Sequence, residues 1–302
     1  MALWPGLAWP EIVSSLTQPE SWERAQIRYI RSGEPIGMAY VEIGSDGSCS
    51  GVTGTLKNSG VIVHCKPSSS VKSVYWYIWD PLALDYSNDM SCWRGKQECA
   101  KPITYRAREI GEFRGRSKLL PIELGPLLKE GTHRIFAAPE PLRVLYMKSN
   151  QRPPGLEIVV RRDDSYTGYL SELMDVPFVL FPLATENGEH QTDARLGADC
   201  VALVIYGQRR MGRHIPYVSP PALKKFLTPV LPRTDGNWPA SRGDVLHFGF
   251  QTAVIYEDRK PYGVLNDDDL IIHTYHGRAE VVRFGALPYR SHRLEVYRWP
   301  RN

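Results

Sequence analysis

The chain has 302 residues, 42% hydrophobic and 23% charged, with a formal net charge of +4. That length suits two domains, each able to bury its own core without a metal, and the composition excludes a chain dominated by disorder. Lysines and arginines are interspersed with acids rather than gathered in a run, which argues against nucleic acid as a partner, and no stretch reaches the roughly 18–20 apolar residues of a membrane-spanning helix.

The opening MALWPGLAWP has neither a basic n-region nor a long apolar core, so it does not read as a signal peptide. Four cysteines, Cys49, Cys65, Cys92 and Cys99, lie in the first third, while Cys200 stands apart. Two disulfides among the four are the favoured reading, with the pairing open, and such bonds persist only in an oxidising compartment. This predicts a secreted, periplasmic or cell-envelope protein whose leader has been removed. The rival is a zinc site, but no C-x-x-C pair is present and the spacing of Cys92 and Cys99 fits metal-knuckle geometry poorly.

From Gly37 to Arg162 the apolar residues fall into short runs between turn residues: GMAYVEIG, GVIVHC, SVYWYIW, THRIFAA, LRVLYMK and LEIVVRR. This is a strand rhythm, and Val74 to Trp79, apolar on both faces, suits a strand buried between two layers. Trp76 and Trp79 belong to that core. Leu119 to Gly131 resembles the strand, short helical turn and strand corner of immunoglobulin-like domains, so residues 1–162 are expected to form an all-β immunoglobulin-like sandwich serving as an accessory domain. QRPPG at 151–155 reads either as a domain linker or as the turn of a hairpin between the runs on either side of it, and the boundary is placed after the second run, near Arg162.

At residue 163 the pattern changes, and residues 163–302 read as a second, α+β domain. Asp163, Asp164 and Ser165 offer N-cap oxygens to a helix carrying Tyr166, Tyr169, Leu170 and Leu173 on one face. A second helix follows Asp199, with Cys200, Leu203, Val204 and Gly207 as its stripe and Gly212 as its stop. Strands follow at GDVLHF, QTAVIYE, DLIIHTY, AEVVRF and LEVYRW. Asp267 to Asp269 lack calcium-loop spacing and read as a solvated turn, and Arg209, Arg210 and Arg213 complement the dipole of the second helix.

A cysteine in the first turn of a helix meets free amides and the positive end of the dipole, which stabilise a thiolate and an oxyanion. Its plainer reading is a small buried hydrophobe. The blocks GADCVALVIYGQRRMGRHIPY, RGDVLHFGFQTAVIYED and DDLIIHTYHGRAEVV, in that order, resemble the NlpC family of papain-like cell-wall peptidases over about Asp163 to Phe284. The resemblance implies a papain-like fold with Cys200 as nucleophile, Asp199 capping the helix and facing a substrate amine, and His273 as the third polar residue. The family's base histidine aligns with Gln251, or with Thr252 after a one-residue slip, and neither accepts a proton near neutral pH. Phe178 stands where the family has a tyrosine. If Gly249 and Phe250 form a two-residue turn, His247 lies opposite Thr252 and becomes an alternative base, usable only if that face covers Cys200. His276 is a further, weaker candidate.

These residues predict a cysteine amidohydrolase that uses a Cys200–His273 dyad, with Gln251 supplying a hydrogen bond. It would cleave an amide in peptidoglycan stem peptides through a thioester, with no metal or cofactor. The alternative is a catalytically silent NlpC-type domain that binds cell wall or a partner. Acyl transfer to another substrate is a third possibility. Thiol reactivity separates the first two.

Overall fold

The computed structural model describes residues 155–185 and 188–300, and before them 73–88, 100–114, 129–138, 141–142 and 145–153, with strand backbone at 26–31, 41–43, 49–50, 53–57, 60–66 and 120–123. Cys92 and Cys99 lie outside the described residues, and Cys49 and Cys65 are described only as strand backbone, so the disulfide reading lies outside them too.

The first half contributes β1 (Gln26–Arg31), β2 (Val41–Ile43), β3 (Cys49–Ser50), β4 (Thr53–Lys57), β5 (Gly60–Lys66), β6 (Ser73–Pro81), β7 (Asp85–Ser87), β8 (Ile103–Arg114), β9 (Leu120–Glu123), β10 (Gly131–Ala138), β11 (Tyr146–Ser149) and β12 (Leu156–Arg161). A six-stranded sheet runs β1-β12-β10-β6-β8-β11, and a five-stranded one runs β3-β2-β5-β4 with β9 on β5. The aromatic run of β6 is central and buried as read, with Trp79 stacked on Phe136 at 4.6 Å. Of the two readings of QRPPG, the hairpin does not form. β11 pairs with β8, whereas β12 lies between β10 and a parallel partner, β1.

The second half opens with α1 (Tyr166–Leu170), capped by Ser165, whose side chain accepts from the Gly168 amide. β13 (Phe178–Leu180), α2 (Cys200–Arg210) and α3 (Pro220–Leu223) follow. Next come β14 (Thr228–Val230), β15 (Val245–His247), β16 (Thr252–Glu257), β17 (Leu270–Thr274), β18 (Ala279–Arg283) and β19 (Glu295–Arg298), in one sheet ordered β14-β19-β15-β16-β17-β18. No helix among the described residues is long and apolar enough to cross a membrane.

Strand alternation sorts this sheet into two faces. Val245, Val254 and Ile272 share a core with Val201, Leu203 and Val204 of α2, while Leu246, Ala253, Ile255 and Ile271 pack on the far side with Phe248 and Tyr289. α1 and α2 cross at Gly207, where a Cβ would lie 2.7 Å from carbons of Leu170 and Tyr166. Tyr166 also donates to the Val204 carbonyl at 2.9 Å.

The two halves share polar contacts. Glu157 of β12 accepts from Arg134 at 2.8 Å and from Arg195 at 2.5 Å, all three being buried. Burial works against the carboxylate, yet the two guanidinium groups outweigh it and hold Glu157 below its usual pKa. β7 pairs in parallel with β13, Asn88 donates to Gln191, and Glu130 accepts from Tyr256.

Candidate functional site

Cys200 is the first residue of α2, as the helix signals imply, and Asp199 is the N-cap. The Asp199 carboxylate accepts from the amides of Val201 at 3.1 Å and Ala202 at 2.8 Å. The amides meant for a thiolate therefore already serve a carboxylate. Burial raises Asp199 to about 6, opposed by those amides and that of Phe181.

The Cys200 thiol is not activated in this geometry. Burial first, and the adjacent Asp199 charge second, push it up to about 12, the reverse of the lowering expected at a helix start. Thr252 comes close enough for its hydroxyl and amide to act in the opposite direction, as does the Val201 amide, but these effects are smaller. The Thr252 hydroxyl still has no partner in good hydrogen-bond geometry. The residue approaching the thiol is thus the one reached by the slipped alignment.

Gln251 makes no hydrogen bond to the thiol and is committed to another strand. Its side-chain amide is buried and donates to the Thr274 carbonyl at 2.8 Å, clipping the ends of β16 and β17 together. His273 does not hydrogen-bond Cys200 either. It follows Ile272 on β17 and so faces the far side of the sheet with Ile271, opposite Glu280 of β18. Its Nε2 lies 3.6 Å from the Glu280 carboxylate, its ring lies edge-on to Tyr289 at 5.7 Å, and neither nitrogen has a hydrogen-bond partner. Burial lowers it to about 4.

His247 does share the face of Thr252. The two are direct cross-strand partners, and Phe248 donates to the Gln251 carbonyl around a turn whose Gly249 has φ +87°. This is the hairpin the sequence allowed. However, His247 Nδ1 accepts from the Gly249 amide at 3.0 Å, so the neutral ring carries its proton on Nε2 and offers no free lone pair. Burial, and then the Lys224 charge, lower its pKa. His276 sits in a turn at φ +49° and pairs with Asp85 at 2.8 Å. Phe178 is buried in β13, its amide bonded to the Leu84 carbonyl and its ring 5.6 Å from His276.

Among the described residues, then, no imidazole nitrogen hydrogen-bonds the thiol, and no cluster of three or more His, Cys, Asp or Glu is placed to hold a metal. Sequence reasoning missed Thr274 and Tyr289, both buried with unpartnered hydroxyls at this end of the sheet. Thr274 carries a signal in retrospect, since it sits two residues beyond Ile272 and so shares its face. Tyr289 sits in a loop without periodicity and carries none. Compared with known proteins, the chain matches no family model, no curated protein and no solved structure.

Proposed function

We propose that the Cys200 end of the second sheet is a non-hydrolytic recognition site, on a domain of papain-like type, for amide-containing polymers of the cell envelope such as peptidoglycan stem peptides. One observation carries this: the thiol at the helix start faces Thr252 rather than an imidazole and is held protonated up to about 12. Thioester chemistry needs a thiolate and an imidazole or other base to form it, and this arrangement holds the sulfur as a thiol beside Thr252. The envelope substrate class rests on the resemblance of the three sequence blocks, and the exported location on the resemblance and the four clustered cysteines. The hydrolase reading draws its support from the cysteine's place at the first turn of α2.

The test pairs thiol chemistry with binding. Alkylation of Cys200 by iodoacetamide should stay slow through neutral pH and rise only above the free-cysteine range of about 8.5, while the intact chain co-sediments with insoluble peptidoglycan and releases no product from it. Rapid alkylation at pH 6 together with new amine termini in digested muropeptides would instead establish the hydrolase.

A further inference from the structure

Buried polar atoms without partners are rare in folded proteins, and each calls for an explanation. Of the twelve such side-chain atoms among the described residues, six belong to His247, Thr252, His273, Thr274 and Tyr289. Four of these residues sit at one end of the second sheet, His247, Thr252 and Thr274 on the face that packs on α2 and His273, with Tyr289, on the other, so the groups meet only around the strand ends. His247 ends β15, Thr252 begins β16, and His273 and Thr274 close β17, at the end where Thr252 meets the first residue of α2. Tyr289 joins them through its ring contact with His273 and its proximity to Gln251 and Cys200.

The chemistry of these groups is specific. The hydroxyls of Thr252, Thr274 and Tyr289 and the neutral imidazole of His273 both donate and accept, and His247, its Nδ1 already taken by the Gly249 amide, only donates, whereas a carboxylate only accepts and an ammonium only donates. The charges beside the cluster are acidic, Asp199 next to the thiol and Glu280 opposite His273, and Lys224, which reaches His247, is already paired with Glu295. Rings border the same end: Phe250, 48% exposed, lies 4.9 Å from His292 and 6.4 Å from Tyr275, which stands 4.6 Å from His276. Phe181, 39% exposed, is held in the left-handed region at φ 57° beside Asp199. A non-glycine residue in that conformation is uncommon and concentrates at binding sites.

From this juxtaposition we infer that the site selects an uncharged carboxamide carried next to an apolar or aromatic group, and discriminates against the corresponding carboxylate. The inference rests on the proposed binding role and narrows it to a ligand chemistry.

Titration of the full chain with N-acetylphenylalaninamide, N-acetylphenylalanine and phenethylamine, followed by NMR or calorimetry, tests it. The amide should saturate, with the acid and the amine weaker by about tenfold or more. Thr252→Val should weaken amide binding by about tenfold while leaving the thermal midpoint unchanged or higher, since an apolar isostere removes an unpartnered hydroxyl. Thr274→Val and Phe250→Ala provide the same reading should Thr252→Val misfold. Equal binding of acid and amide, or no saturable amide binding at millimolar concentration, overturns the inference. If peptidoglycan binding persists in that case, the recognition role stands and only the carboxamide preference falls. If the amide binds but peptidoglycan does not, the preference stands and the envelope substrate falls.

Discussion

Asp199 and His273 are displaced from their ordinary pKa values in opposite directions. Asp199 rises from 3.8 to about 6, so its share of stability is complete below 3.8 and is lost as pH climbs through about 6. His273 drops from 6.5 to about 4, so its share is complete above 6.5 and is lost as pH falls through about 4. Between pH 4 and 6 the two slopes oppose each other. Asp199→Asn should therefore leave a urea midpoint that rises with pH across that window, and His273→Gln one that falls; profiles of the same sign in both variants would refute the burial that drives them. Asp199→Asn should also speed Cys200 alkylation at pH 8, because it removes the charge that adds to burial in raising the thiol. The sequence made Cys200 and its cap legible, since a helix start is written in local residues. It did not reveal the partner of the thiol. That depended on strand parity between residues far apart in the chain, and a one-residue shift in alignment decides whether Gln251 or Thr252 faces the helix.

Among the elements, α2 is held by its cap and by its crossing with α1. Asp199→Ala removes the acceptor for two amides and should cost about 1 kcal/mol. Gly207→Ala drives a methyl into Leu170 and Tyr166 and should cost about 1–3 kcal/mol, read as a lower thermal midpoint with the same secondary-structure content. Both helices and the five strand runs after Gly243 could be read from periodicity because each buries one face against a continuous core. β7 and β13 could not. They are three residues each, and they pair across the two halves of the chain. The pairing of β12 was also hidden, since a parallel neighbour leaves no turn signature next to it.

Across the whole molecule, Glu157 shows that the two halves are not energetically separate. It is almost fully buried, and one of its two close guanidinium partners, Arg195, comes from beyond the expected boundary. Glu157→Gln leaves two buried cations short of a counter-charge and should destabilise by about 3–5 kcal/mol. The loss should appear in a single cooperative transition followed by tryptophan fluorescence, which reports mainly the first half, and by protection of the Cys200 thiol, which reports the second. Two separated transitions would mean that the ion cluster does not couple them.

The same carboxylate also sets an order on biosynthesis. Glu157 leaves the ribosome well before Arg195, and domains ordinarily fold as they emerge, amino-terminal first. Here the first sheet must hold a half-neutralised buried acid until the chain beyond it has been made. Nascent chains arrested just short of Arg195 should remain protease-sensitive in β10 and β12, and chains long enough to expose Arg195 should become resistant. A cut at residue 162 that looks harmless on a domain diagram removes the cation that lets the first half finish folding.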